Sequence, residues 1–445
     1  MKIILSGYNV DRDALKESSA TPETISAAYA RISRSEKTIP ELRREARADV
    51  AKARASNEKI VFGLGHSSIA EHAVFNFDLM GISRIAIEYI QSHRIASYTE
   101  KSQRYVSLAS GYHIPEELES NGKLQNEYRK FCDMCFDSYF KAQKVLSEKD
   151  LSRTKTNEDA RYMLPLATYT QCGLTINGRS LEYLISNLRS QNSAELENIG
   201  KMMLSEIEGI APSIIKYTSG RNIFKKESAV IKYSFPNDNL QIISFDKNQE
   251  SSVISALKFR KHGTKFNARF KAGDEEKEEL KRLLFSLNEF DRVPREFEFP
   301  EITFIVYCSA SCFAQLKRHR MSTVIPQSYS YREKPFIPHS FRNTPLEEML
   351  INLHKKSVSL SRKMESINPD ILQYTALNAS KRAVLVKMNC RELYHFVRLR
   401  SDKHAQLEIR EISDKLAFEA NRISPVLYSY LSGKDEFKIL KEKSV

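Results

Sequence analysis

The sequence predicts an α+β protein built from two tandem copies of one domain, and three observations carry that prediction. Ser92-His93-Arg94, followed by Ser97, Glu100, Ser102, Arg104 and Tyr105, recurs as Arg318-His319-Arg320, followed by Thr323, Ser328, Ser330 and Tyr331, at an offset of 226 residues. A later block recurs in the same order. Its first copy reads Ile176-Asn177-Gly178-Arg179-Ser180-Leu181, Asn187-Leu188-Arg189 and Ser193-Ala194-Glu195-Leu196-Glu197. Its second reads Met388-Asn389-Cys390-Arg391-Glu392-Leu393, Arg398-Leu399-Arg400 and His404-Ala405-Gln406-Leu407-Glu408. Strand-like and helix-like stretches are mixed without regular βαβ alternation, which favours α+β over a doubly wound sheet.

Taken in order, each copy opens on a strand, KIILSGY at 2–8 and QIISFDK at 241–247. ELRREARADVAKARA at 41–55 reads as a helix. Alternating strands follow, AVFNFDLM at 73–80 and EITFIVYCSA at 301–310, each leading through a helix into the basic motif. Amphipathic helices close each copy. In DKHAQLEIREISDKLAFEANRI at 402–423, Ala405, Ile409, Ile412, Leu416 and Ala420 fall at helical spacing. Ser219-Gly220-Arg221 and KKES interrupt the periodic pattern, which puts the boundary at 225/226 and the domains at 1–225 and 226–445.

Composition narrows the class. Hydrophobic content of 41% and charged content of 28% are globular values. No apolar run approaches the roughly 20 residues that span a membrane. MKIILSGYNVDRD at the start reads as a buried strand rather than a signal peptide. Six cysteines show no disulfide-framework spacing, so a reducing cytoplasm is expected. Cys132 and Cys135, inside the helical pattern FCDMCFDSYF, read as a buried thiol pair and not a zinc half-site. The net charge of +13 favours anionic partners without separating nucleotides, nucleic acid and anionic membrane surfaces.

A cluster of arginine, histidine and hydroxyl groups suits a phosphate-bearing ligand. Attack by Ser97 or Ser102 with His93 as base fits less well, because no acid is placed to orient the histidine and hydroxyls amid arginines serve as phosphate contacts. His66 and His72 are six apart with no second ligand pair, so no metal site is expected. There is no Gly-x-Gly-x-x-Gly or P-loop. The basic and aromatic stretch from Lys258 to Lys271 is the best nucleic-acid signal, yet a solvated face explains it better.

SHRIASYTEKSQRY, with GHSSIAEHAVFNF upstream and ARYMLPLATYTQCGLTINGRSL downstream, closely resembles the flavin-dependent thymidylate synthases. The second copy resembles the same family through AQLKRHR, KMNCRELYHFVRLR and DKHAQLEIR. The signature, Arg-His-Arg followed seven residues later by Ser-x-Arg, is long and specific. Members of that family usually carry one such domain and work as homotetramers whose active sites are shared between subunits. The resemblance therefore implies methylation of dUMP to dTMP with methylene-tetrahydrofolate (the folate) as carbon donor, NADPH as reductant and FAD as hydride carrier.

Mapped residue by residue, the losses in the two copies are complementary. On the phosphate-loop side the first copy keeps Glu100, Lys101, Ser102, Gln103 and Arg104, plus Arg161 sixteen before Asn177. The second copy has Pro326, Gln327, Ser328, Tyr329 and Ser330 there, and Gln373 sixteen before Asn389. On the partner side the second copy keeps Gln315, Arg318 and Arg400, the last eleven after Asn389. The first copy has Tyr89 and Ser92, and its Arg189 lies twelve after Asn177, one out of register. The resemblance assigns FAD contacts to Ser68, His93, Arg94 and Glu100 and to Arg318, His319, Arg320, Asn389, Arg391 and His395. It places Arg400 by the uracil as the catalytic group, while Thr99 and Cys390 depart from the family pattern. One competent composite site per chain and one vestigial site are expected, with a homodimer imitating the tetramer. Nucleic acid and membrane are not expected partners. The competing readings are a flavoprotein acting on another pyrimidine nucleotide, and an inactive duplicate that binds nucleic acid or serves as a scaffold.

Overall fold

A computed structural model describes residues 1–15, 21–109, 111–149, 151–225, 231 and 233–442. The chain divides into two compact units, Met1–Ser228 with Lys355–Leu377, and Ala229–His354 with Asn378–Val445. Residues 355–377, which belong to the second repeat in sequence, pack with the first unit. The 225/226 boundary expected from sequence abuts residues 226–230, which lie outside the described residues.

The fold is α+β, and each unit carries a four-stranded antiparallel sheet of the same order. In the first, β1 (Lys2–Tyr8), β2 (Val74–Ser83), β3 (Ala96–Glu100) and β4 (Tyr169–Asn177) are arranged β1-β2-β4-β3. In the second, β5 (Leu240–Phe245), β6 (Glu301–Ser309), β7 (Thr323–Pro326) and β8 (Lys381–Asn389) are arranged β5-β6-β8-β7. Alternation dictates which face is buried: Phe75, Phe77 and Leu79 of β2 enter the core while Asn76 and Asp78 face out. In β2 the register shifts between Met80 and Ile82, where Gly81 adopts φ 64°, a conformation that favours glycine.

A buried serine–carboxylate clasp recurs and fixes the helix that leads into each basic motif. Ser83 caps the helix Arg84–Ile90 by accepting from the Ala86 N–H at 2.9 Å. It gives its own N–H and Oγ–H to the two oxygens of Glu195, at 2.8 and 2.7 Å. Ser309 does the same for the helix Ala310–Leu316, capping Cys312 and donating both groups to Glu408. Burial makes these charge-assisted bonds necessary as well as strong. The clasp pairs Glu195 with Glu408, shifting the end of the second repeated block by two residues from the alignment of Glu195 with Gln406. A second shared device ties Glu23 to Ser213 and Glu250 to Ser424.

Several expectations from sequence need refinement. The helix expected over 41–55 is two helices, Ile39–Ala48 and Val50–Glu58. They are broken at Asp49, whose carboxylate caps the Lys52 N–H at 2.8 Å. The last long helix starts at Leu407, after Asp402 has taken the His404 N–H in a turn. The Cys132 and Cys135 thiols are buried in the helix Gly122–Ser147, and burial pushes both thiols up. Within 258–271, Lys258 pairs with Glu276, Lys261 with Glu279 and Arg260 with Glu296, so half of its basic residues are neutralised inside their own unit. Among the described residues, no helix is long and apolar enough to cross a membrane, and no His/Cys/Asp/Glu group is suited to a metal.

Candidate active site

In the first unit the sheet edge β3 delivers the residues expected from sequence to form a phosphate loop. Glu100 ends that strand and is locked by the ion pair with Arg84, by Gln91 Nε2 at 3.1 Å and by Thr170 Oγ1 at 3.2 Å. The chain then turns: the Lys101 N–H donates to the Gln171 carbonyl and leaves the side chain exposed, while Ser102 Oγ accepts from the Arg104 N–H at 3.1 Å. Gln103 is buried. Arg104 Nε meets Glu158 Oε2 at 2.5 Å, and Lys155 reaches Glu158 and Asp159 at 3.4 and 2.8 Å. Arg161 lies buried beside them. Burial lowers its guanidinium pKa; Tyr162 and Glu158 favour the charge, whereas Arg104 and Arg84 oppose it. Arg104, Lys155 and Arg161 thus stand close together with Glu158 and Asp159 among them.

The other first-unit candidates are Ser68, His93 and Arg94. Ser68 is exposed in the short turn Ser67–His72, and Arg94 is exposed. His93 is buried, edge-on to the Tyr183 ring at 5.1 Å, and Tyr183 is in turn edge-on to Phe224 at 4.9 Å. Phe224 comes from the linker and its carbonyl is held by Gln191 Nε2 at 2.8 Å. The helices Gly178–Leu188 and Cys390–Arg400 have the same length and the same cap. Asn177 and Asn389 accept from the Ser180 and Glu392 N–H groups, each at 2.8 Å. Counting from these caps, Ser180 matches Glu392, Tyr183 matches His395 and Leu188 matches Arg400. Arg189 sits one position beyond the helix and donates to the Thr218 carbonyl at 3.1 Å.

In the second unit His319 of the basic motif and Arg400 of the later block form one network. His319 is 3% exposed. Arg400 Nε donates to His319 Nε2 at 3.0 Å, and His319 Nδ1 faces Glu392 Oε1 at 3.1 Å. Arg400 Nη1 and Nη2 donate to the side-chain and backbone oxygens of Gln315, at 3.4 and 3.2 Å. Gln315 Nε2 donates to Gln406 at 3.2 Å. Burial, with the charge of Arg400 and His395 beside it, holds the His319 imidazole well below its usual pKa. Burial pushes the Glu392 carboxyl up, opposed by His395, Arg292 and Arg391.

Arg318, Arg320 and His395 lie at the surface of this network, with the His395 ring 5.7 Å from that of His319. Asn389 uses its carbonyl oxygen as the cap, leaving the amide nitrogen for any ligand. Arg391 is engaged within the unit, Nε to the Val293 carbonyl at 3.0 Å and Nη1 to Glu298 at 2.7 Å. The matching loop of the second copy is packed against a residue of its own unit. Arg382, 5% exposed, stacks 3.8 Å from the Tyr329 ring centre and 4.8 Å from that of Phe313, and gives Nε to the Gln327 carbonyl.

The comparisons with known proteins agree with this duplicated arrangement. A family model described as thymidylate synthase complementing protein matches the chain twice, over residues 14–213 and 241–426. The flavin-dependent thymidylate synthase of Geobacter sulfurreducens is 34% identical over 209 residues, 46% of this chain and 84% of that protein. The chain belongs to the flavin-dependent thymidylate synthase family. UPF0159 protein Ta1429 of Thermoplasma acidophilum aligns over 454 positions at 24% identity, 83% of this chain and 86% of its own, so a tandem arrangement occurs in a relative. The solved Helicobacter pylori enzyme complexed with FAD and dUMP is 23% identical, covering 49% of this chain and 100% of its own with a TM-score of 0.35.

Each repeat also holds residues that the repeated motifs by themselves do not mark. Glu158 counters the charges of Arg104 and Arg161, and Arg84, paired with Glu100, adds a third cation nearby. Glu158 could have been found, since it lies one helical turn before Arg161. Glu392 and Gln406 brace His319 and Gln315. Glu392 stands inside the quoted motif, but only its contact with the histidine marks it as more than a helix-start acid.

Proposed function

We propose that the chain is a FAD-dependent thymidylate synthase that converts dUMP to dTMP, with methylene-tetrahydrofolate as carbon donor and NADPH as reductant, at one composite site per chain. One observation carries the reading: the cation cradle of Arg104 and Arg161 exists only in the first repeat, and the Arg400–His319–Gln315 network only in the second. The vestigial pairing is further disfavoured by the stack of Arg382 on Tyr329 in the second repeat and by Phe224 over Tyr183 in the first. Two such chains in a homodimer would supply four domains and two competent sites.

Each side chain then has a physical task. Arg104 and Arg161 bind the phosphate dianion by charge-assisted bonds, with Glu158 holding Arg104 in place beforehand. Gln315 and Arg400, bonded to each other, act as one rigid unit toward the base, and the guanidinium offsets negative charge as the uracil N3–H is lost. The donors on the second unit fit a flavin dinucleotide: exposed Arg318 and Arg320 suit a pyrophosphate, and the exposed His395 edge and the Asn389 amide suit polar atoms of the ring system. When bound, the reduced flavin supplies hydride. No protein nucleophile is needed. Ser102 Oγ is occupied by the Arg104 N–H, all six cysteines are buried, and burial pushes up the thiols of Cys132, Cys135, Cys312 and Cys390.

The test is FAD stoichiometry of the purified protein, with dUMP titrated through the flavin spectrum and dTMP formation assayed afterwards. One FAD and one dUMP per chain, with dTMP produced, is expected. Two of each per chain would overturn the single composite site, and no flavin after reconstitution would overturn the enzymatic reading.

A further inference from the structure

Arg400 is held by a histidine whose lone pair must point at it. Nε2 of His319 accepts the Arg400 Nε–H at 3.0 Å, and an imidazole can accept there only when its proton sits on Nδ1. Nδ1 in turn faces Glu392 Oε1 at 3.1 Å, in a place where His319 is 3% and Glu392 7% exposed. The opposite tautomer would set an Nε2–H against the Arg400 Nε–H, two donors facing each other, and would leave the carboxylate without its partner. Gln315 holds the far edge of the guanidinium, so His319 and Gln315 fix it at both ends.

The first repeat is the internal control. It keeps the histidine, His93, but has Ser180 where Glu392 stands and Leu188 where Arg400 stands. There the histidine ring packs edge-on to Tyr183 instead. The carboxylate and the arginine are present together in one repeat and absent together in the other. That pattern ties Glu392 to Arg400 and not to the helix cap, which both repeats share.

We propose that Glu392 is a positioning residue for the reaction: by fixing the Nδ1–H tautomer of His319 it orients Arg400 toward the uracil. This rests on the role given to Arg400 above. The groups facing His319 are Arg400 and Glu392, with His395 beside them and Arg391 and Arg292 around Glu392.

The experiment is a variant series on the full chain read by steady-state kinetics, FAD content and the 15N spectrum of labelled histidine. Glu392→Leu is expected to lower kcat by about ten- to a hundredfold, the range for losing a partner that orients a ligating side chain. FAD content and KM for dUMP should change far less, and the His319 signal should lose its Nδ1–H signature. Glu392→Gln, whose Oε1 still accepts from Nδ1–H, should stay within a few-fold of the parent. Adding Glu392→Leu to Arg400→Ala should cost nothing beyond Arg400→Ala alone, because both act through one guanidinium. Should Glu392→Leu not fold, Glu392→Ser is the substitute, since the first repeat carries serine on the same helix. If Arg400→Ala lowers turnover but the Glu392 variants change neither kcat nor the histidine spectrum, the positioning role is overturned alone. If Arg400→Ala leaves turnover intact, the underlying reading of the site fails instead.

Discussion

Leu188 and Arg400 stand at the same place on two copies of one helix, eleven residues after the asparagine that caps each. Leu188 is fully buried, while Arg400 reaches past the helix end to His319 and Gln315. The same backbone therefore supports a core contact in one repeat and a chemical group in the other. Arg189, adjacent in sequence, does not replace Arg400, because one residue along a helix is a rotation of about 100°.

Arg400→Ala tests the chemical role. Turnover should fall by about a hundredfold or more, the scale of removing one charge-stabilising donor, while FAD occupancy is largely kept. Parallel measurement of kcat and flavin content checks it. Equal activity in variant and parent removes the assignment.

Arg104→Ser and Ser330→Arg exchange the residues at matching positions of the two loops, and their effects should be unequal. Arg104→Ser should weaken dUMP binding by at least tenfold, through loss of a charge-assisted contact of about 1.5–3 kcal/mol. Ser330→Arg should give no new site, because Ser330 is buried and Arg382, Tyr329 and Phe313 already fill the space around that loop. Flavin-monitored dUMP titration compares the two, and equal effects would remove the division of labour.

Leu188→Arg asks whether the second site can be restored by the missing residue alone. The expected outcome is loss of stability with no gain in dUMP stoichiometry. Removing a buried leucine from a packed core costs about 2–5 kcal/mol, and a guanidinium placed there adds its desolvation. Denaturant unfolding measures the first effect and titration the second.

Stability should also depend on pH through His319. Its folded pKa lies below the ordinary value of 6.5, with His354 shifted the same way by burial. Below pH 6.5 the unfolded chain therefore binds protons that the folded chain refuses. Stability contributed by the neutral imidazole is complete above that value and is lost as pH falls through it, by up to about 1.4 kcal/mol per pH unit per group. Urea midpoints between pH 7.5 and 5.5 should decline, and His319→Gln should flatten part of the decline. An unchanged slope in that variant would mean that His319 is not held neutral.

Much of this was legible in the chain itself. Repetition of the basic motif and of the asparagine-capped block needs only residue identity and spacing, and it gave the duplication, the α+β class and the opposite losses in the two loops. Strands such as Val74–Ser83 followed from alternation, a local property of the pleated backbone. Boundaries were less legible. The break at Asp49 depends on a single capping carboxylate inside a continuous helical pattern, and the late start at Leu407 on a turn stabilised by Asp402.

What the sequence determined, then, was which residue types each repeat retained: Arg104 and Arg161 in one, Gln315, His319 and Arg400 in the other. Tertiary structure alone decided how they are held. Glu158 meets Arg104 from a helix 54 residues away, and Glu392 meets His319 across 73 residues. Glu195 proved the counterpart of Glu408 only because each clasps a serine about a hundred residues earlier. Hydrogen bonds and ion pairs act over a few ångströms of space and ignore separation along the chain, so no local pattern records them.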